Sequence, residues 1–224
     1  GAIEKKDGIL CFDRDGNERW RATFGKATER KHNVASGANS SPLTDGKHVF
    51  VYYKSGTIAA LDFAGKVLWK DNLQERFGKN TLWWDLGTSP VWVGGNVVVA
   101  VIQAEDSYLV ALDALTGTVA WKVRRQFDCP RESDQSYTTP SVITQDGLER
   151  IIVWGADRLT AHDAATGNTL WVCEGFNPDA KPMWRSIASA SVWNDVAVVP
   201  YGRGRNLCGI DLRNGLDPAK RWLW

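Results

Sequence analysis

The chain has 224 residues, 43% of them hydrophobic, which is enough for one substantial core. Its 27 Lys and Arg residues almost balance its 26 Asp and Glu residues, so the strongly positive field of a typical nucleic-acid-binding protein is excluded. No apolar run approaches the roughly 18 residues that cross a membrane, and the sequence predicts a chain that does not span one.

One short motif recurs along the chain, built on an aspartate, a glycine and a tryptophan. Two copies, 111–121 and 161–171, read A-x-D-x-x-T-G-x-x-x-W, and three copies are looser. In chain order the motif residues are Asp13 and Trp20; Asp62 and Trp69; Asp113, Gly117 and Trp121; Asp163, Gly167 and Trp171; and Asp211 and Trp222, with Gly215 as the glycine of the last copy. Successive aspartates are 49, 51, 50 and 48 residues apart. The chain is therefore an array of repeats of about fifty residues.

Each unit reads as four short strands. A second marker opens the later units, at Ser41-Pro42, Ser89-Pro90, Thr139-Pro140 and Ala190-Ser191, and turn pairs such as Asp45-Gly46 follow it. In the second unit the strands are predicted at 41–44, 47–53, 57–61 and 66–70. The second strands, at 48–53, 97–102 and 151–154, are apolar on both faces, which indicates sheets buried on both sides.

This pattern predicts an all-β fold, a β-propeller of four-stranded antiparallel blades. A stacked β-solenoid is the rival architecture, but its repeat is usually shorter and its sheets are parallel. We expect one domain over 1–224, with a partial blade at 1–21 and blades at about 36–70, 86–123, 136–173 and 187–224. The first unit is expected to begin at its third strand. About four and a half blades are then present, so the chain is a fragment of a larger ring, or two copies pair, or the half blade stays unclosed.

The motif residues are assigned structural roles. Each aspartate is expected to accept backbone N–H groups in the turn between the third and fourth strands. The glycine supplies a left-handed backbone, and the tryptophan fills the gap to the next blade. Because the aspartates recur at turns, we interpret them as structural rather than as metal ligands or acid–base groups.

The motif resembles the tryptophan-docking repeat of the pyrroloquinoline quinone (PQQ) dehydrogenases and of related cofactor-free bacterial propellers. The resemblance extends over nearly the whole chain and implies a ring of seven or eight blades and a periplasmic or secreted location. Dehydrogenases of this family hold the quinone between a tryptophan and two adjacent cysteines, beside Ca²⁺ or a lanthanide. The four cysteines here, Cys11, Cys129, Cys173 and Cys208, include no adjacent pair, and only Trp84-Asp85 could mimic part of such a pocket. We therefore predict no cofactor, with PQQ and Ca²⁺ kept as the alternative.

Long connectors between blades, at 21–40, 71–88, 124–138 and 174–189, are where a site is expected, since long loops on a rigid scaffold usually carry function. Five residues before Pro42, Pro90, Pro140 and Ser191 stand Gly37, Asp85, Gln135 and Ser186, and one residue earlier stand Ser36, Trp84, Asp134 and Arg185. The candidate binding residues are Trp83, Trp84, Asp85, Arg131, Glu132, Gln135, Tyr137, Trp184 and Arg185.

No catalytic signature occurs in the connectors, and His32, His48 and His162 lack the spacing of metal ligands. The sequence therefore predicts a non-enzymatic scaffold that binds a protein or peptide and has no nucleic-acid partner. Two alternatives stay open: an oligosaccharide-binding module, because exposed tryptophans stack on sugars, and a PQQ-dependent dehydrogenase.

Overall fold

Five antiparallel sheets follow one another along the chain in a computed structural model that describes residues 1–33, 37, 39–204, 206–214, 217 and 220–224. The first sheet contains β1 (Ala2–Ile3), β2 (Lys6–Phe12) and β3 (Glu18–Lys26). The second contains β4 (Leu43–Thr44), β5 (His48–Tyr52), β6 (Thr57–Asp62) and β7 (Val67–Asn72), and the helix α1 (Leu73–Phe77) follows it. The third contains β8 (Val91–Val93), β9 (Asn96–Val101), β10 (Tyr108–Asp113) and β11 (Val119–Arg124). The fourth contains β12 (Ser141–Gln145), β13 (Leu148–Gly155), β14 (Arg158–Asp163) and β15 (Thr169–Cys173). The last contains β16 (Ser191–Trp193), β17 (Val196–Tyr201) and β18 (Asn206–Asp211).

The first strands of successive sheets lie side by side, as the blades of a propeller require. Strand β4 contacts β8, β8 contacts β12, and β12 contacts β16. Hydrogen bonds repeat along this row: the amides of Ser41, Ser89 and Thr139 donate to the hydroxyls of Ser89 (2.9 Å), Thr139 (3.0 Å) and Ser189 (2.9 Å). The predicted propeller of antiparallel blades is therefore confirmed, with the first strands innermost.

A separate hydrophobic core fills each of the four gaps between neighbouring sheets. The core between the second and third sheets contains Phe50 and Val99, and the one between the fourth and fifth contains Phe176 and Ile210, all four fully buried. The second, third and fourth sheets each lie between two of these cores, so their middle strands are largely apolar on both faces, as the sequence predicts. No helix among the described residues is long and apolar enough to cross a membrane.

The motif tryptophans join each blade to the next. The indole of Trp121 lies on the turn of the following unit, where a β-carbon on Gly167 would come within 2.5 Å of the ring, and its Nε1 donates to the carbonyl of Ala164 at 3.2 Å. Gly167 has a φ of +75°, so this position needs glycine for its backbone as well as for space. The same docking joins Trp20 to Gly65 and the Phe63 carbonyl (2.9 Å), and Trp69 to Gly117 and the Ala114 carbonyl (2.8 Å).

The motif aspartates close the turns, as predicted. Asp113 Oδ1 accepts the amides of Leu115 (3.1 Å) and Thr116 (2.8 Å) and the Thr116 hydroxyl (2.8 Å). These hydrogen bonds stabilise the carboxylate and lower the pKa of Asp113. Equivalent amide bonds reach Asp13 from Asp15 and Asn17, Asp62 from Ala64 and Lys66, Asp163 from Thr166, and Asp211 from Arg213.

The two end sheets differ from the sequence expectation. The first has three strands, because the short strand β1 pairs with Lys6 and Asp7 upstream of the predicted third strand. In the last sheet the predicted fourth strand, 222–224, forms only a bridge from Trp222 to Ile210 and hydrogen bonds to Gly209. Its motif glycine, Gly215, lies outside the described residues. Trp171, which would dock there, is buried, and its Nε1 has no hydrogen-bond partner in the described part of the chain.

A buried histidine, His162, predicts that the fold loses stability in acid. His162 is fully buried, with Nδ1 3.0 Å from the Gly167 carbonyl and Nε2 2.9 Å from the Thr160 hydroxyl. Burial, and then the nearby charge of Arg125, lower the pKa of His162 from 6.5 to about 4. Between pH 6.5 and about 4 the His162 side chain is therefore protonated in the unfolded chain but neutral in the folded chain. The free energy of unfolding should fall by about 3 kcal/mol as the pH drops from above 6.5 to about 4.

The variant His162→Leu tests this origin, because leucine occupies the same motif position in the two preceding units, at Leu61 and Leu112. We expect it to remove most of the loss between pH 6.5 and about 4, measured by urea unfolding across that range. The motif carboxylates with lowered pKa titrate below their ordinary value and belong to a lower pH window. An unchanged pH profile in the variant would assign the acid sensitivity to other groups.

Candidate binding face

Strand direction places the connectors between blades on one face of the propeller. In each sheet the strands follow in chain order and alternate in direction. The start of the first strand therefore lies at the same end of the sheet as the turn between the second and third strands. The described parts of the first connector, 27–33 and 39–42, and the connectors 73–90, 125–140 and 174–190 therefore share a face with the hairpins between second and third strands. We call it the connector face. The motif turns lie on the opposite face.

The structure shifts the predicted alignment of the last connector by one residue. Ser136 forms a parallel bridge with Ser186, and the Thr139 amide donates to the Ser189 hydroxyl. Pro140 therefore corresponds to Ala190, so the marker of the last unit is Ser189-Ala190 and the predicted Ala190-Ser191 is wrong. Because this unit lacks the marker proline, the sequence pattern alone could not fix the alignment of its connector with the other three.

The corrected register changes which candidate residues are equivalent. Asp85, Gln135 and Arg185 now share one position with Gly37, while Trp84, Asp134 and Trp184 share the position before it. Ser36, predicted for that earlier position, lies outside the described residues. Both tryptophans thus occupy the same place in their connectors, two blades apart.

Part of the predicted set surrounds a cavity of about 530 Å³ on this face, the connector cavity. Trp84, Tyr137 and Arg185 line it, together with Ile187, which the sequence analysis did not select. The Arg185 guanidinium carbon lies 5.9 Å from the centre of the Trp84 ring. The remaining lining residues are His32, Asn39, Asp85 and Gly87.

Two buried side chains hold the tryptophan pair in place. Gln135 Oε1 accepts the Trp83 amide at 2.9 Å, and the Tyr137 hydroxyl accepts the Trp84 amide at 3.0 Å. The Tyr137 hydroxyl in turn donates to Gln135 Oε1 at 3.2 Å. Gln135 and most of Tyr137 are buried, so their main structural role is to position residues 83 and 84.

Asp85 connects its own connector to two other segments of the chain, through an ion pair and through hydrogen bonds from a backbone amide. Only 8% of it is exposed; Lys54 Nζ lies 2.5 Å from Oδ1, and the Lys31 amide donates to both carboxylate oxygens. Burial raises the pKa of Asp85, but the hydrogen bonds from Lys54 and from backbone amides outweigh it, and the pKa lies below its ordinary value. Because both oxygens are engaged, Asp85 does not fit the role of a metal ligand beside a quinone. Within the described ranges, no group of three or more His, Cys, Asp or Glu side chains is placed to hold a metal ion.

The other candidates lie around the connector cavity. Glu132 is buried and forms an ion pair with Arg185, which fixes that guanidinium at the rim. Trp83 is 53% exposed beside the cavity, and Arg131 is exposed and contacts the next connector through its carbonyl, which accepts the Met183 amide at 2.8 Å. Trp184 lines a neighbouring cavity with Arg185.

The sequence analysis missed Lys31, Lys54 and Ile187. The lysines meet Asp85 from 54 and 31 residues earlier in the chain, and no local pattern marks such a contact. Ile187 carried a usable signal, since it is a large apolar residue in a connector just before an innermost strand, and it is 66% exposed.

Comparisons with known proteins agree with this fold. A family model described as outer membrane protein assembly factor BamB matches residues 5–148 and 134–218. The structure of BamB from Moraxella catarrhalis is similar over 99% of this chain and 61% of its own, with a TM-score of 0.62 and 17% identity. This chain thus spans about three fifths of the length of that protein.

Quinone-dependent enzymes share the same architecture. Quinohemoprotein alcohol dehydrogenase from Comamonas testosteroni matches with a TM-score of 0.62 and 16% identity over 94% of this chain and 39% of its own. A europium-containing methanol dehydrogenase matches with a TM-score of 0.63 and 15% identity, over 95% of this chain and 48% of its own. At these identities the likeness concerns the fold alone. Among curated proteins, no sequence matches the chain.

Proposed function

The chain belongs to the BamB family of PQQ-like repeat propellers, and on that premise we propose that it is a non-enzymatic scaffold that binds a protein partner through its connector face. The family description names outer membrane protein assembly, and we place the protein in the bacterial periplasm, where such assembly takes place. The partner is then a protein on its way to the outer membrane, bound as an extended segment.

The composition of the connector cavity carries this proposal. Tryptophan, tyrosine and arginine are the residues that contribute most often to binding energy at protein interfaces, and Trp84, Tyr137 and Arg185 meet here. Ile187 and Trp83 add exposed apolar surface at 66% and 53%. The charges beneath this surface are paired internally, Lys54 with Asp85 and Arg185 with Glu132, so an apolar segment meets few unpaired charges on binding.

Exposed tryptophans also favour a second candidate, an oligosaccharide ligand. Trp83 and Trp84 are adjacent and partly exposed, and indole faces stack on the apolar faces of sugar rings. A glycan array separates the two hypotheses, because saturable binding of a glycan without binding of protein segments would favour this candidate.

Trp84→Ala tests the proposed site. The substitution removes the exposed ring and keeps the backbone amide that donates to Tyr137, so the connector should retain its conformation. With a fluorescently labelled, unfolded outer-membrane protein as the probe, we expect the Kd measured by anisotropy to rise about tenfold or more. The matched control is Trp193→Ala, which removes a 78% exposed tryptophan from the opposite face and should leave the Kd unchanged. Equal effects of the two variants would contradict the assignment of the site.

A further inference from the structure

A second cavity of about 340 Å³ opens on the connector face beside the first, and we call it the Trp154 cavity. Its walls come from the last connector and from the hairpin between β17 and β18. The residues that matter for its chemistry are Trp154, Trp184, Arg185, Ser186, Tyr201 and Arg203.

Three polar atoms of these lining residues are buried and lack hydrogen-bond partners among the described residues: Trp154 Nε1, Arg185 Nε and Ser186 Oγ. Trp154 is 3% exposed and Ser186 is 4% exposed. A buried polar group without a partner costs about 1–3 kcal/mol, so such groups are rare in folded proteins. Three of them on residues lining one cavity indicate a ligand that supplies the missing partners.

In the preceding unit, side-chain hydrogen bonds occupy the position that is equivalent to the Trp154 cavity. There the Ser136 hydroxyl lies 2.9 Å from the Thr138 hydroxyl, and Thr138 donates to the Trp154 carbonyl at 2.6 Å. Ser136 corresponds to Ser186, and the same register puts Ala188 where Thr138 stands. Since alanine has no hydroxyl, the Ser186 hydroxyl loses this partner, and the space beside it stays open.

The unpartnered atoms define the ligand chemistry. Indole Nε1 and guanidinium Nε can only donate, so the ligand must present hydrogen-bond acceptors. Arg185 is already paired with Glu132, but Arg203 also lines the cavity and none of the described lining residues is acidic, which favours a negatively charged acceptor. The rings of Trp184 and Tyr201 add apolar walls. We propose that the Trp154 cavity binds a carboxylate carried on a compact apolar body, either a small carboxylic acid or the carboxyl end of a polypeptide.

N-acetyl-L-phenylalanine and its uncharged primary amide are the probes that test this site. The readout is the indole ¹H–¹⁵N resonance of Trp154, identified by its absence in Trp154→Phe. We expect saturable shifts of that resonance with the acid and at least tenfold weaker binding of the amide. A longer peptide ending in phenylalanine that binds more tightly than the acetylated amino acid assigns the site to a polypeptide end, and equal affinity assigns it to a small acid.

Substitutions separate a ligand site from a structural one. Ser186→Ala removes only a hydroxyl that has no partner among the described residues, so it should weaken binding of the acid about tenfold or more while the urea midpoint stays the same or rises. Trp154→Phe should weaken binding similarly, but it also removes packing against Phe176, so its urea midpoint should fall. Ser136→Ala is the matched control, because its hydroxyl is already bonded; it should lower the urea midpoint and leave the affinity unchanged.

Three results would overturn the inference. The first is the absence of saturable binding of the acid up to about 10 mM. The second is equal binding of acid and amide. The third is a Ser186→Ala variant that loses stability and keeps its affinity, because the hydroxyl would then belong to a structural water site. None of these results concerns the Trp84 surface, so the proposed protein partner is tested separately.

Discussion

Trp121→Ala is expected to lower the free energy of unfolding by about 3 kcal/mol, the lower end of the range for truncating a large core aromatic, because the indole is partly buried. The indole bridges the third and fourth sheets, packing on Gly167 and donating to the Ala164 carbonyl. Alanine leaves a cavity between two blades and an unpaired carbonyl. Urea unfolding followed by circular dichroism measures the loss without depending on tryptophan fluorescence.

Two matched variants separate docking from the general effect of losing a tryptophan. Trp121→Phe keeps a ring in the gap but loses the N–H donor, and should lose less than the alanine variant. Trp193→Ala removes a 78% exposed tryptophan and should change stability by less than about 0.5 kcal/mol. If Trp121→Ala lowered the free energy of unfolding no more than Trp193→Ala, the docking motif would not be what joins the blades.

Arg125→Met is expected to lower the free energy of unfolding by about 1–3 kcal/mol, because buried carbonyls that accept hydrogen bonds from the guanidinium would lose their donor. Arg125 is 2% exposed. Its guanidinium donates to the hydroxyl of Thr160 (2.9 Å) and to the carbonyls of Val153 (3.2 Å), Gly155 (3.1 Å) and Arg158 (3.0 Å). Methionine fills much of the volume but donates no hydrogen bond, so the carbonyls of Gly155 and Arg158 lose the guanidinium as a donor.

Arg124→Met is the matched control for this prediction, since Arg124 is the preceding residue, at the end of β11, and is exposed. It should change stability by less than about 0.5 kcal/mol in the same urea measurement. Similar losses in both variants would mean that the carbonyl set of Arg125 contributes nothing beyond ordinary surface packing.

The repeat made most of the fold predictable, because sheets buried on both faces and regular turn aspartates leave clear periodic patterns. The features that the sequence could not predict are very short elements and contacts between residues far apart in the chain. Strand β1 has only two residues, and helix α1 has five, started by Asn72, whose side chain accepts the amides of Gln74 and Glu75. Neither is long enough to display a period.

The candidate site was predicted less well for the same physical reason. Trp84 and Arg185 were selected from their distance to the markers, and Tyr137 because it lies in the same connectors. Asp85 was predicted as a candidate binding residue, whereas its carboxylate is paired with Lys54 and accepts the Lys31 amide from other parts of the chain. The pairing of side chains across units depends on the closed three-dimensional arrangement and has no signature in sequence spacing.

Site-specific photocrosslinking tests the central claim, that the connector face binds protein, most directly. A benzophenone side chain at Ile187, 66% exposed beside the connector cavity, is compared with one at Leu148, 61% exposed on a hairpin of the opposite face. In the cells that make the protein, we predict discrete protein adducts from position 187 that disappear when Trp84→Ala is added, and none from position 148. Equal crosslinking at both positions, or adducts from position 148 alone, would contradict the account.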